Sequence, residues 1–301
     1  YDFVLLTLVS PPSGDTGLQD KEWQEDDTIK IDTSGWGDPR DKTLAINLNG
    51  YTLIRPKPNL AALEIDNGSQ DTGKAHKDPL PIVIAGNQLD FIYDCSDTSC
   101  KWENALGYGS IAIDNQPHPM IMVSNPRPDG GDYDPNVSKS LHFLHVAAKL
   151  PDHTNNYLKS AWFKQTAGFT QFEDCLMEFG LDEEGFGIEV SGGILNLQGQ
   201  IDYLRGHFTQ HVSGPEGAAV VKATTNLEST PATQVYLVNG PPLGPIDPAP
   251  CKIDGRTMDD HHKNRGSVIL LGERGKANAP EITLLQDIYF GSPHSNVGRL
   301  I

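Results

Sequence analysis

The chain has 301 residues, of which 37% are hydrophobic, and its 40 acidic and 23 basic side chains give a formal charge of −17. We predict a single β-rich domain over residues 1–301. Apolar runs such as FVLLTLV, PIVIAG and SVILLG exclude a disordered chain. The negative charge, with no large Lys/Arg cluster, argues against nucleic acid and anionic bilayers as partners. No run approaches the roughly 18 apolar residues that span a bilayer, so we expect no membrane insertion.

Short apolar runs punctuated by 30 Gly and 22 Pro residues predict strands joined by turns. The clearest unit is residues 42–55, where Asn49-Gly50 is the preferred dipeptide for a two-residue type I′ turn. Closing a ladder at that turn pairs Leu48 with Tyr51 and Ile46 with Leu53. We therefore predict an antiparallel hairpin whose apolar side chains share one face.

Two segments predict short helices. Ser140 is placed to cap a helix over residues 141–150, which Pro151 ends. Phe169, Phe172, Leu176 and Phe179 fall at i, i+3, i+7 and i+10, which is one face of a second helix that carries Cys175. His142 and His145 lie on the first helix and could share a metal ion, but a satisfied or exposed histidine is the favoured interpretation.

Residues 187–204 predict a three-stranded antiparallel meander, with turns at Gly192-Gly193 and at residues 198–200. This register gives an unbroken apolar inner face, which a shift of one residue would destroy. The inner residues are Ile188, Val190, Leu195, Leu197, Ile201 and Tyr203. On the outer face, Glu189, Asn196 and Asp202 line up across the three strands.

Further runs complete the mainly β prediction. The other strand candidates are residues 81–85, 89–93, 110–113, 120–123, 218–223, 234–238, 267–271 and 282–290. Long loop insertions are predicted at residues 10–27, 66–80, 124–138 and 239–266. We predict an antiparallel two-sheet sandwich or jelly roll with one or two short helices. The alternative is a parallel β-helix, because LAINLNGYTLI and IVIAGNQLDFIYD resemble its rungs, although no regular period supports it.

Several features predict a secreted glycoprotein. The chain begins at Tyr1 without a basic leader, which we interpret as processed. Three pairings of four cysteines are open, and we favour Cys95 with Cys100 and Cys175 with Cys251, because four polar residues separate the first two. The sequons at Asn67 and Asn136 lie in Gly/Pro/Asp-rich stretches, where a glycan would stay in solvent. Extracellular localisation is therefore expected.

The outer row of the predicted meander is the strongest candidate for chemistry. Two strands apart, Glu189 and Asp202 would be separated by about 9 to 10 Å at the backbone. Tilted side chains could then approach the roughly 6.5 to 9.5 Å of an inverting glycosidase. The competing interpretations are a solvated acidic face and a carbohydrate-binding surface that includes Asn196. No nucleotide-binding, α/β-hydrolase or HExxH motif is present.

Loop residues supply the remaining candidates. Asp129, Asp132 and Asp134 lie among glycines in PRPDGGDYDPN, where oxygen ligands could hold calcium, or where the segment could be a plain turn. Trp36 and Trp102 lie among polar residues and could stack on a sugar ring or fold back as lids. No cofactor other than calcium is expected.

These observations predict an extracellular binding or structural protein with carbohydrate as the favoured ligand and an extracellular protein as another partner. Two alternatives stay open. One is a secreted glycoside hydrolase that uses Glu189 and Asp202. The other is a self-assembling envelope or filament subunit, a homo-oligomer in which residues 1–9 insert into a neighbour.

Overall fold

A computed structural model of the chain describes its residues in sixteen stretches. These are residues 2–9, 22–32, 42–66, 82–87, 109–124, 141–149, 157–173, 175–182, 185–198, 203–208, 218–224, 233–238, 252–257, 267–271, 280–285 and 289–291. Within these stretches the regular structure consists of strands, and none forms a helix. Accordingly, this part of the chain contains no helix that could cross a membrane.

The strands are short and follow one another at irregular intervals. In chain order they are β1 (Asp2–Thr7), β2 (Glu22–Trp23), β3 (Ile29–Asp32), β4 (Lys42–Asn47), β5 (Thr52–Leu53), β6 (Leu63–Asp66), β7 (Ile82–Ala85), β8 (Gly109–Ala112), β9 (Ile121–Ser124), β10 (Leu141–Leu144), β11 (Val146–Lys149), β12 (Ala161–Gln165), β13 (Phe169–Glu173), β14 (Leu176–Leu181), β15 (Phe186–Val190), β16 (Ile194–Gln198), β17 (Tyr203–Phe208), β18 (Ala219–Ala223), β19 (Gln234–Val238), β20 (Lys252–Thr257), β21 (Ser267–Leu271), β22 (Glu281–Leu285) and β23 (Tyr289–Gly291).

Every third strand belongs to the same sheet, and all strand pairs are parallel. The first sheet runs from β1 through β4 to β22, the second from β2 through β5 to β23, and the third from β3 through β6 to β21. Three successive strands therefore make one coil, and each coil stacks on the next. The predicted antiparallel sandwich or jelly roll is wrong, and the parallel β-helix alternative fits the observed pairing better.

The Asn49-Gly50 turn forms, but the predicted hairpin does not. Both residues have left-handed φ angles, 51° and 75°, and the N–H of Tyr51 donates to the carbonyl of Leu48 at 2.8 Å. β4 nevertheless pairs with β1 and β7, whereas β5 pairs with β2 and β8. The turn is a corner of the coil, because the N–H of Gly50 donates to Gly86 in the next coil.

The predicted meander is also wrong. β15, β16 and β17 are consecutive in the chain, yet they lie in the third, first and second sheets respectively. The inward residues Ile188, Val190, Leu195 and Leu197 are fully buried, as the alternation predicted. Alternation reports which side of a strand is buried but not which strand lies beside it, so both folds satisfy the same pattern.

Both predicted helices are strands separated by a corner. Residues 141–149 form β10 and β11, and His145 between them has a φ of 53°. Residues 169–181 form β13 and β14. Phe172 and Phe179 of the predicted helical face are fully buried, but they lie on strands of two different sheets, so their spacing only imitates a helical face.

Aromatic side chains from successive coils fill the interior. Phe143 and Phe172 are register partners, and their rings stack with centroids 4.6 Å apart. Phe163 meets the Phe172 ring edge-on at 5.0 Å, and Trp162 lies 6.3 Å from it. Consecutive residues 162 and 163 therefore both pack inward, which breaks strict alternation at the start of β12.

Coil length varies widely, which explains why the sequence shows no period. The register partners Phe169 and Ile194 are 25 residues apart, whereas Ile82 and Leu141 are 59 residues apart. Two strands also lie inside predicted loops, β2 within residues 10–27 and β20 within residues 239–266. Of the other strand candidates, residues 89–93 lie outside the described residues.

Candidate functional site

A row of mostly charged side chains crosses the outer face of the third sheet. Parallel register places one residue from each of six neighbouring strands in line: Lys30, Glu64, Met122, Lys164, Glu189 and Lys222. We call this the first row. Neighbouring positions in the same strands, such as Ile65 and Val123, are buried, so the row faces outward.

Ion pairs connect the first row across its strands. Lys30 Nζ lies 3.2 Å from Glu64 Oε2. The carboxylate of Glu189 lies between two ammonium groups, 3.1 Å from Lys164 Nζ and 3.4 Å from Lys222 Nζ. Lys222 Nζ also lies 4.0 Å from the centroid of the Phe186 ring. These cross-strand contacts fix the charged groups at defined positions on the sheet.

A second row runs beside the first, two positions further along the chain in each coil. Its members are Asp32, Asp66, Ser124, Thr166, Ser191 and Thr224. The ladder continues through this row, because the N–H groups of Thr166, Ser191 and Thr224 each donate to a carbonyl of the preceding coil. The second row therefore presents two carboxylates followed by four hydroxyl groups.

A groove of about 200 Å³ lies between the two rows on β6, β9 and β12. Glu64, Met122 and Lys164 of the first row line one side. Asp66, Ser124 and Thr166 of the second row line the other. Ile65 and Val123 complete the lining, which thus combines carboxylate acceptors, an ammonium donor, hydroxyl groups that donate and accept, one thioether and two apolar residues. Such a set can make many hydrogen bonds to a polar ligand.

The predicted row of Glu189, Asn196 and Asp202 does not form as neighbouring antiparallel strands. Glu189 lies in the third sheet and Asn196 in the first, while Asp202 lies outside the described residues. The expected separation of the two carboxylates requires the antiparallel meander, which does not form. A catalytic role for the pair stays a prediction.

Asn196 belongs to a chain of polar groups on the outer face of the first sheet. Its Nδ2 donates to Gln171 Oε1 at 3.5 Å, and Gln171 Nε2 donates to Glu173 Oε2 at 2.8 Å. His142 Nε2 lies 2.9 Å from the same Glu173 oxygen. Gln171 is 1% exposed and His142 is 9% exposed. The Asn196 amide is therefore tied into a largely covered network, whereas the rows of the third sheet are more open.

Of the other predicted site residues, only Cys175 lies among the described residues. Among the described residues, no group of three or more His, Cys, Asp or Glu side chains is arranged to hold a metal ion. Cys175 is a buried thiol whose Sγ lies 3.3 Å from the Glu173 carbonyl and 3.5 Å from that of Phe143. Its predicted partner lies beyond the described stretches, so the pairing stays a prediction. The remaining predicted site residues also lie outside the described residues, and their roles stay predictions. They are Trp36, Trp102, Asp129, Asp132, Asp134, Cys95, Cys100, Cys251, Asn67 and Asn136.

Apart from Glu189, the members of the two rows were not recognised from the sequence, although a local signal is present. Inward and outward positions alternate in the segments IKID, LEID and IMVS. Each segment contributes one residue to the first row and another to the second row. The three segments are 34 and 58 positions apart, as the register partners Ile29, Leu63 and Ile121 show. Only the coil stacking shows that they are neighbours.

Comparisons of the chain with protein-family models, with curated proteins and with solved structures found no match. The chemistry of the third sheet is therefore what bears on function.

Proposed function

We propose that this protein is an extracellular binding protein that holds carbohydrate in the groove on its third sheet. The observation that carries the proposal is the mixed lining of the groove, which combines Asp66 and Glu64 with Lys164, Ser124 and Thr166. Sugar hydroxyl groups donate to carboxylates, accept from ammonium groups and do both with Ser and Thr. Met122 adds a polarizable apolar surface for the C–H groups of a sugar ring.

Charge favours a neutral ligand over an anionic polymer. Glu64 and Asp66 place two carboxylates on the groove, against the single ammonium group of Lys164. The formal charge of the whole chain is −17, which adds a long-range repulsion for polyanions. Binding of nucleic acid or an anionic membrane would need a basic face to neutralise phosphate groups.

The extracellular part of the proposal is supported by sequence features. These are the sequons at Asn67 and Asn136 and the four cysteines, whose predicted pairing suits an oxidising compartment. Glycan binding in the groove needs no cofactor. Calcium at Asp129, Asp132 and Asp134 would brace the loop of residues 124–138, and chelation with EDTA would then lower the melting temperature.

A glycan array followed by calorimetric titration tests the proposal. The full chain should retain at least one neutral glycan, and Asp66→Asn should weaken that binding about tenfold or more, because hydrogen bonds to charged groups contribute about 1.5–3 kcal/mol. Glu25→Gln is the matched control, since Glu25 is an exposed carboxylate outside the groove. Absence of binding to every glycan, or equal loss in both variants, would reject the proposal.

Self-association is a second candidate function, and exposed apolar residues of β1 favour it. Val4, Leu5 and Leu6 are 39%, 42% and 52% exposed. β1 pairs with β4 on one edge, and no other described strand pairs with its second edge. Exposed apolar edge strands promote pairing between chains. Light scattering should show oligomers that Leu6→Lys converts to monomers, and a wild-type monomer at high concentration would contradict this function.

A further inference from the structure

The two rows continue beyond the groove in the direction in which the coils stack. The groove is lined by β6, β9 and β12, but Glu189 and Ser191 extend the rows onto β15, and Lys222 and Thr224 extend them past it. With β3 at the other end, each row crosses six strands. At an interstrand spacing of about 4.8 Å, this corresponds to about 24 Å of sheet.

Each coil therefore contributes one residue to each row at a regular spacing. The irregular coil lengths do not disturb this spacing, because the strands are held by the same parallel hydrogen-bond ladder. A compact ligand such as a monosaccharide would contact residues from only two or three coils. A linear ligand that lies along the stacking direction would contact all of them.

From this repetition we infer that the third sheet binds a linear, neutral polysaccharide along the coil axis, with sugar units in contact with successive coils. This inference rests on the proposed function and names the substrate class of the same surface. Neutrality follows from the distribution of charge along the rows. At one end the carboxylates of Asp32, Glu64 and Asp66 outnumber the single ammonium group of Lys30, whereas at the other end Lys164 and Lys222 outnumber the single carboxylate of Glu189. A uniformly charged polymer would meet repulsion at one of the two ends.

The hydroxyl groups of the second row should make most of the contacts at the far end. Ser191 and Thr224 are partly exposed there, and the Ser191 hydroxyl, which donates to the carbonyl of Gln165, can still accept a hydrogen bond, while Glu189 and Lys222 of the first row are engaged in an ion pair. Thr224 is therefore a residue that only a long ligand would reach. Ser124 lines the groove, so ligands of every length should contact it.

Titration with oligosaccharides of increasing length tests the inference. The probes are linear gluco-, xylo- and manno-oligosaccharides of two to eight units, with oligogalacturonates as the anionic counterpart. For the neutral series that binds, we expect the affinity to rise about tenfold or more between two and six units. The affinity of the oligogalacturonates should be weaker at every length.

Two variants distinguish an extended site from an isolated groove. Ser124→Ala should weaken binding of short and long ligands alike, whereas Thr224→Val should weaken only ligands of five or more units. Thr7→Val is the matched control, because Thr7 is an exposed threonine on the first sheet. Circular dichroism melting establishes that each variant is folded.

The possible results separate the two proposals. Equal affinity for two and six units, or no effect of Thr224→Val on the long ligand, would overturn the extended site and leave the groove as a short carbohydrate site. Absence of binding by all neutral probes would overturn both proposals.

Discussion

Arg55 and Asp114 form an ion pair that joins two neighbouring coils. Arg55 follows β5 and Asp114 follows β8, and their side chains are 7% and 23% exposed. The guanidinium donates to both carboxylate oxygens, with Nη2 to Oδ1 at 2.9 Å, and also to the carbonyls of Leu60 and His118. Because most N–H donors of this buried guanidinium have acceptors, the ion pair holds in place the two segments that follow β5 and β8.

We expect Arg55→Ala to destabilise the fold by about 3–5 kcal/mol, since it leaves a partly buried carboxylate without its counter-ion and two carbonyls without their side-chain donor. Urea unfolding followed by circular dichroism measures the change. The control is Lys30→Ala, which removes an exposed pair with Glu64 and should cost less than about 1 kcal/mol. Similar losses in the two variants would contradict the assigned role of Arg55.

Gly193 lies where coils pack backbone to backbone at a corner. Its φ is 78°, and a Cβ atom there would lie 2.0 Å from the carbonyl oxygen of Gly168. Gly193→Ala should therefore lower the free energy of unfolding by about 3 kcal/mol or more. The backbone at Gly168 or at residue 193 would have to move to make room for the methyl group, and the alanine would also have to adopt a strained φ. Gly50→Ala is a matched control, because Gly50 has a φ of 75° but no atom lies within 4 Å of the place that a Cβ would take, and it should cost only about 1 kcal/mol. Equal melting temperatures for the two variants would refute the packing argument.

Stacking of Phe143 on Phe172 contributes to the stability of the interior. Phe172→Ala should cost about 3–5 kcal/mol, because it removes a fully buried ring and leaves a cavity. A double-mutant cycle with Phe143→Leu and Phe172→Leu should give a coupling free energy of about 0.5–1.5 kcal/mol. Additive effects in the cycle would show that the two rings contribute only by their burial.

The phenol of Tyr157 should make stability depend on pH in the alkaline range. Burial raises the pKa of Tyr157 above 10.0, and the nearby carboxylate of Asp182 raises it further. The folded state thus holds the phenolic proton more tightly than the unfolded state does. The resulting stability is complete below about pH 10, the pKa of an unfolded tyrosine, and is lost as pH rises through the higher folded value.

Comparison with Tyr157→Phe isolates this effect from the other tyrosines. The free energy of unfolding of the wild type should fall relative to that of the variant as pH increases above 10. Denaturant titrations at pH 9, 10 and 11 provide the measurement. Parallel pH profiles for the two proteins would show that the folded and unfolded pKa values of Tyr157 are equal.

Much of the local structure could be predicted from the sequence, but the strand neighbours could not. Alternation correctly identified the buried residues Ile46, Leu48, Leu195 and Leu197, and the Asn-Gly pair correctly located a turn. The predictions of a hairpin and a meander were wrong because a turn with the same dihedral angles can join two paired strands or can form a corner of a coil. Likewise, buried residues on both sides of a corner reproduced the spacing of a helical face.

The proposed binding surface shows the same contrast between local features, which the sequence indicates, and strand neighbours, which it does not. Glu189 was recognised as an outward carboxylate, but Asn196, which was predicted to lie beside it, belongs to a different sheet. Lys164 and Lys222 lie 25 and 33 positions away from it in the chain, and only the parallel register brings them beside it.

By itself, the sequence determined the strand-rich character of the chain, the inward and outward sides of many strands and the position of one corner, because these depend on neighbouring residues. The tertiary structure alone decided that the strands stack in parallel coils and that two polar rows flank a groove. Those features depend on hydrogen bonds between residues 25 to 59 positions apart, and no local pattern encodes which distant strand completes a ladder.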